Sequence, residues 1–210
     1  MKKSFKGTVL VVLAAIAWGI SGVSGQFLMK QGISVYLLTS LRLLISGLLL
    51  IGVVIWQQPQ QIKAILEDKK MLVGIFGFSI CGLLLNQFSY LQAIHYTNAG
   101  TATVLQYMVP VLVLTIICFK NRSLPTIGEL AAILLAILGT FIIATHGQLG
   151  NLALTPAGLF WGLFSAVTYT LYMFLPIKLI QEWGSLLVIG LGMLLGGLVF
   201  SLVSQSWQYN

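Results

Sequence analysis

The sequence predicts an all-α membrane protein with seven transmembrane helices, and three observations carry that prediction. Only 7% of the 210 residues are charged and 58% are hydrophobic, whereas a soluble domain keeps about 25% charged residues to wet its surface. Mean hydropathy is +0.99. The apolar residues also gather into runs of about 20, the length a helix needs to cross hydrocarbon, and nearly all the charges fall in the short breaks between them. A soluble enzyme, a coiled coil, a disordered tail and a secreted disulfide scaffold are excluded, because no water-facing shell can be assembled from this composition.

Seven runs qualify: 7–29, 34–56, 71–94, 99–119, 126–145, 155–177 and 184–204. Barrel strands alternate apolar and polar residues over about ten positions; stretches such as 10–17 and 48–55 do not. The first run follows Lys2 and Lys3 and holds Ala15-Ile16-Ala17, as a signal peptide would. Its apolar character continues to Met29, past an h-region of about 7–15 residues, so it reads as a span. Residues 59–70 form an amphipathic break. Pro59 suits a first helical turn, Ile62, Ile65 and Leu66 share a face, and Lys63 and Glu67 stand i,i+4. That break reads as a short interfacial helix. The fifth span opens on a capping box, Thr126-Ile127-Gly128-Glu129, directly after Pro125.

Orientation follows from the positive charges. Lys2, Lys3 and Lys6 precede span one, Lys63, Lys69 and Lys70 follow span two, Lys120 and Arg122 follow span four, and Lys178 follows span six. The alternate breaks hold only Lys30, His95 and His146. This places the N-terminus in the cytoplasm and, with seven spans, the C-terminus outside. The net charge of +7 does not point to nucleic acid, because the charges sit in breaks rather than on one basic face. Cys81 and Cys118 lie inside apolar runs and read as small packed residues. No metal-ligand spacing is present and no cofactor is expected.

Polar side chains cost free energy in hydrocarbon unless paired or turned to a cavity. At 1.5 Å of rise per residue, Trp18 and Ser21 stand about 16–21 Å up span one, with Asn86 about 22 Å and Tyr90 about 28 Å up span three. Thr103, Gln106 and Tyr107 lie about 6–12 Å below the outer end of span four, and Arg42 about 12 Å below the same surface. All fall in one band. Pro110 removes the hydrogen bond to a carbonyl one turn back, near Gln106, as broken transporter helices do. Two readings of Asn86 and Gln106 stand side by side: a hydrated cavity, or interhelical hydrogen bonding worth about 1 kcal/mol per contact. Arg42 reads as snorkelling to the outer headgroups or as a structural pairing.

The four acidic residues, Glu67, Asp68, Glu129 and Glu182, all lie away from the membrane centre, so a pump working through a buried carboxylate is not encoded here. Nor do the spans hold a nucleophile arrangement for intramembrane proteolysis. Asn121-Arg122-Ser123 fits a glycosylation pattern but falls on the cytoplasmic side. Gly190, Gly192 and Gly196 have no preceding strand, and Gly192 with Gly196 reads as a helix-packing face.

An offset of 151 residues pairs Gly7 with Gly158, Ala15 with Ala166, Trp18 with Tyr169, Ser34 with Ser185, and Leu43-Leu44 with Leu194-Leu195. Span one starts inside and span six outside, so such a repeat is inverted, a recurrent transporter architecture with its site at the repeat interface. Ala17-Trp18-Gly19, Arg42, residues 91–102, Pro110, and Gly128 with Gly139, in this order, resemble the EamA-type carriers of the drug/metabolite transporter superfamily. The resemblance covers nearly the whole chain. It implies a ten-helix inner-membrane carrier of two inverted five-helix halves, many of which export amino acids or other small metabolites. Residues 1–148 correspond to the first half, 149–154 to an external connector, and 155–210 to part of a second half, the first two of its helices. Two departures matter. Lys120-Asn121-Arg122 stands where the family often has a Gly-Glu-Arg-like element, and three expected helices are missing, which makes a truncated, poorly transporting chain an expectation.

The expected function is therefore movement of a small organic solute, outward, by alternating access across the plasma membrane. Trp18, Asn86, Tyr90, Gln106, Tyr169 and Tyr172 are the expected cavity wall, and Arg42 and Pro110 have structural or gating roles. The expected partners are the solute and the lipid bilayer, with a second copy or a partner chain supplying missing helices. A retinal photoreceptor needs a Lys in its last helix, and 184–204 has none. The alternative is a non-transporting membrane subunit that pairs with another chain through Gly192 and Gly196.

Overall fold

The computed structural model describes residues 2–145 and 155–208. Among them every regular element is helical. In chain order these are α1 Lys2–Lys30, α2 Val35–Gln57, α3 Pro59–Glu67, α4 Lys69–Phe78, a π turn Ser79–Leu84, α5 Leu85–Tyr96, α6 Ala99–Gln106, α7 Val109–Asn121, α8 Ile127–Thr145, α9 Pro156–Phe174, α10 Ile177–Trp183 and α11 Ser185–Ser204. A 3-10 turn, Ser206–Gln208, comes last.

Six helical stretches are long and apolar enough to cross a membrane: Gly7–Lys30, Val35–Gln57, Lys69–Tyr96, Ala99–Asn121, Pro156–Trp183 and Ser185–Ser204. The crossing expected over 126–145 coincides with α8, whose described apolar stretch, Ile127–Gly139, is shorter. The connector expected over 149–154, His146, and the half boundary at 148 lie outside the described residues, as does the Leu66 side chain.

Local chemistry starts the helices where the sequence predicts. The Leu37 N–H donates to Ser34 Oγ at 3.2 Å, the Thr101 N–H to Asn98 Oδ1 at 2.8 Å, and the Gly158 N–H to Thr155 Oγ1 at 3.0 Å. Each satisfies one of the N–H groups that a helix start leaves unpaired. The capping box of α8 closes in both directions, with Thr126 N–H on Glu129 Oε2 at 2.7 Å and Glu129 N–H on Thr126 Oγ1 at 3.2 Å.

Two apolar clusters hold the ends of the bundle. One joins Val54, Ile65, Ile75, Phe78, Leu83, Leu179, Leu187 and Val188; the other joins Val35, Leu38, Tyr90, Leu91, Ala93, Ile94 and Ala102. Between them lies a buried polar layer that includes Ser79, Asn86, Ser89, Gln106, Ser165 and Thr168. The short helix expected over 59–70 is α3, and its apolar face packs against the rest of the chain. Ile65 is fully buried in the first cluster, with Ile62 packed beside it. The apolar face is thereby covered by the end of the bundle.

Glycines set how the spans cross. At Gly47 of α2 an added Cβ would stand 2.7 Å from the Leu194 backbone nitrogen of α11, and at Gly197 of α11 one would stand 3.0 Å from the Leu44 nitrogen. The two helices thus touch backbone to backbone, the contact that small residues permit in membranes. Gly192 and Gly196 turn another face of α11 inward, against Leu83 and Ser79. The face expected to dock a partner chain is therefore occupied within this chain.

The π turn was not expected. The Leu85 N–H bonds the Ile80 carbonyl, five residues back, and the fully buried Ser79 Oγ donates to the Gly192 carbonyl at 2.7 Å. Such a turn inserts an extra residue and rotates the rest of the helix about its axis. Ser79→Ala is expected to lower stability in detergent by about 1 kcal/mol, read as a thermal shift. Cys81 lies on the exposed side of this turn and Cys118 is half-buried; both are free. Cys81 is not a packed residue, because the turn swings it outward.

Candidate functional site

A cavity of about 500 Å³ opens where α1, α9 and the junction of α6 with α7 converge. Its wall includes Trp18, Thr103, Gln106, Tyr107, Pro110 and Tyr169. The junction is a true break. Met108 N–H reaches only three residues back, to the Leu105 carbonyl at 3.2 Å, and α7 restarts at Val109 with Pro110 in its first turn. Pro110 has no N–H to offer the Gln106 carbonyl. Trp18 and Tyr169 meet edge to face across the cavity, their centroids 6.0 Å apart, a favoured aromatic geometry.

A smaller cavity of about 170 Å³ shares Trp18 with the first. Its wall adds Ser21, Arg42, Ser46, Gln87 and Tyr90. Arg42 Nη2 donates to Ser21 Oγ, joining α2 to α1. Thr103 Oγ1 donates its proton to the Ala99 carbonyl at 2.7 Å. The 2.9 Å bond between Tyr90 Oη and Thr103 Oγ1 is therefore donated by Tyr90, since a hydroxyl has one proton. Gly22 admits Tyr90: an added Cβ there would lie 3.2 Å from the Tyr90 oxygen.

A model of the EamA-like transporter family matches residues 5–145. The chain belongs to the EamA-like transporter family. It is also 38% identical over 200 residues to YicL of Salmonella typhimurium, described as an uncharacterized inner membrane transporter. That match covers 95% of this chain, which spans 66% of the relative's length. No solved structure matches. A multi-pass membrane protein of a transporter family is the identity that these findings and the apolar helices share.

Within this EamA chain, Trp18, Gln106, Tyr169 and Pro110 come together on the larger cavity, and Tyr90 and Arg42 join Trp18 on the smaller one. Asn86 and Tyr172 are not among the lining side chains of either. Asn86 is buried behind the wall, where its Oδ1 accepts a long 3.4 Å hydrogen bond from Gln106 Nε2. It orients an amide that does face the cavity. Tyr172 stacks on Phe78 at 5.8 Å and tilts against Tyr169 at 5.6 Å, backing the wall from the apolar cluster. Arg42 does not snorkel: its guanidinium turns inward to α1.

Ala15, Val109, Val113 and Met173 complete the larger wall, and Gly22, Leu43 and Met193 the smaller. An apolar residue in a span carries no signal that separates cavity from lipid, since both faces are greasy. Gln87 did carry one, being an amide next to Asn86. Gln26 is a further polar residue of α1 with a role: its Oε1 accepts from the Ala99 N–H at 2.9 Å and pins α1 to the start of α6.

Proposed function

We propose that the chain is a carrier of small organic solutes with amino-acid-like dimensions, working by alternating access between two inverted halves. The observation that carries the reading is the aromatic cavity beside a broken helix. Its volume of about 500 Å³ falls in the range of small-molecule sites, about 300–1,000 Å³. Apolar and aromatic surface dominates it, with the Gln106 amide, the Thr103 hydroxyl and the backbone freed by Pro110 to orient a ligand. Trp18, Gln106 and Tyr169 contact solute in this reading, Tyr90 and Arg42 stand at one end, and Asn86 and Tyr172 hold the wall from behind.

The inverted repeat supports the same mechanism. Trp18 and Tyr169, partners at the 151-residue offset, meet each other. So do α2 and α11, which occupy equivalent places in the two repeats and pack backbone to backbone. A pseudo-two-fold axis through both contacts would let the halves rock about the cavity. Residues 1–148 make the first half in this proposal and 155–210 belong to the second. The lysine-rich breaks face the cytoplasm, and the direction of net movement is outward. No covalent chemistry is needed.

The test is flux from proteoliposomes made with this chain and loaded with a labelled panel of amino acids and small organic acids. Efflux of at least one compound above protein-free vesicles, saturable and competed by unlabelled solute, is expected. A folded, correctly inserted protein that moves none of the panel would refute transport by this chain. Labelling with a membrane-impermeant amine reagent tests the orientation: Lys69 and Lys120 should both stay unreactive in intact cells and both react in inside-out vesicles.

A further inference from the structure

We propose that Arg42 is the anion-binding element of the solute site, holding the carboxylate of a monocarboxylic solute whose apolar body lies in the adjoining aromatic cavity. The inference rests on the carrier reading above and deepens it by naming the substrate class.

Charge balance carries it. Arg42 sits within a membrane-spanning helix and lines the small cavity. Its Nη2 is satisfied by the Ser21 hydroxyl, a neutral partner. Its Nη1 is buried and has no hydrogen-bond partner. The acidic residues are Glu67 and Asp68 at the α3–α4 junction, Glu129 in the first turn of α8 and Glu182 near the end of α10. None lines either cavity. A guanidinium within a membrane span, with one nitrogen buried and unpaired and no carboxylate beside it, is costly, so the counter-charge this site favours comes from outside the chain.

The donors around it suit a carboxylate. Guanidinium matches that group in a planar, two-pronged geometry. The Ser21 hydroxyl, which accepts from Arg42, keeps its own proton to donate, and Gln87 adds amide N–H groups to the wall. Tyr90 does not compete as a donor, because its proton is committed to Thr103. About 170 Å³ accommodates a carboxylate with its neighbouring carbon, and Trp18, common to both walls, leads into the larger aromatic space. Neither wall offers an acidic side chain to pair an ammonium group. Recognition therefore requires the carboxylate and tolerates loss of the amine.

Chemical protection tests this directly, because the sequence has only two arginines, Arg42 and Arg122, and Arg122 ends α7 in an exposed loop. The full chain in phosphatidylcholine nanodiscs is treated with phenylglyoxal, a guanidine reagent, and modification of each arginine is followed by peptide mass. 3-Phenylpropionate is expected to slow modification at Arg42 by about tenfold or more, while its amide has no effect and Arg122 reacts unchanged. Equal protection by acid and amide, protection by neither, or an Arg42 that never reacts while Arg122 does would each overturn the proposal. Replacing part of the lipid with phosphatidylglycerol separates sources: protection by that lipid alone assigns the site to a headgroup and overturns the solute assignment.

Equilibrium binding of labelled 3-phenylpropionate gives the second readout. Arg42→Lys is expected to keep part of the binding, since an ammonium supplies the charge but not the two-pronged fit, and Arg42→Gln to lose about tenfold or more; equal binding by Arg42→Gln and the unmodified protein overturns the proposal. The two readings fail separately. Solute flux that ignores Arg42 removes the subsite and leaves the carrier, whereas carboxylate protection without flux of any solute removes the carrier and leaves the subsite.

Discussion

Gly47→Leu is expected to prevent stable folding, lowering stability by about 3 kcal/mol, the upper end of what overpacking costs. The reason is the identity of the atoms in the way. A Cβ at this position meets the Leu194 backbone nitrogen at 2.7 Å and the Leu194 Cγ at 2.8 Å. A flexible side chain could turn aside, but a helix backbone cannot, so α2 and α11 must separate. Among the described residues these two helices form the most extensive contact between elements, and Gly190 and Gly197 meet α2 along the same seam. Gly52→Leu supplies the control on the same helix, since nothing lies within 4 Å of its Cβ position. Thermal unfolding in detergent should show a large downward shift for the first variant and almost none for the second. Similar behaviour of the two would mean that the crossing is not where the structure puts it.

Trp18→Ala is expected to cut solute flux by about tenfold, the worth of one well-placed aromatic contact, with little loss of stability. The two effects separate because Trp18 is 50% exposed and belongs to both cavity walls. Tyr169→Ala should act in the same direction. The double variant should lose less than the two effects combined, because the rings meet edge to face at 6.0 Å and such a pair is coupled by about 0.5–1.5 kcal/mol. Phe160→Ala, on the same helix but 59% exposed and stacked on Phe164, is the control and should leave flux unchanged. A flux-competent Trp18→Ala protein with wild-type rates would place the solute path elsewhere. Proteoliposome efflux with matched protein amounts reads all four.

Much of the fold was legible in the chain alone. Hydropathy and helix length are properties of contiguous residues, and so are caps. The Thr126–Glu129 box acts within three residues of chain and was readable from local spacing, whereas the caps Ser34, Asn98 and Thr155 sit at starts read from where the apolar runs begin. The break at Pro110 was legible for the same reason. Part of the cavity lining was legible too, because Trp18, Tyr90, Gln106 and Tyr169 are polar or amphipathic residues in an apolar background.

What could not be read was the rotation of each helix. In a soluble helix one apolar stripe faces the core and a polar stripe faces water. Here both faces are apolar, because lipid is as greasy as the core. Nothing along α5 announces that Asn86 lies behind the wall while Gln87, one residue on, lines the smaller cavity.

The amino-acid order by itself therefore determined that this is a membrane-embedded helical protein, where most of its helices begin, and which few polar residues stand within hydrocarbon. Only the assembled bundle decided which of those residues share a cavity, that α3 packs into the core, and that Arg42 turns inward without a carboxylate. Those outcomes depend on contacts between helices, from that of Arg42 with Ser21 on the neighbouring helix to the backbone approach at Gly47 and Gly197 between residues more than a hundred positions apart. Local pattern encodes the rise along each helix; the angle about its axis is fixed only when another helix presses against it.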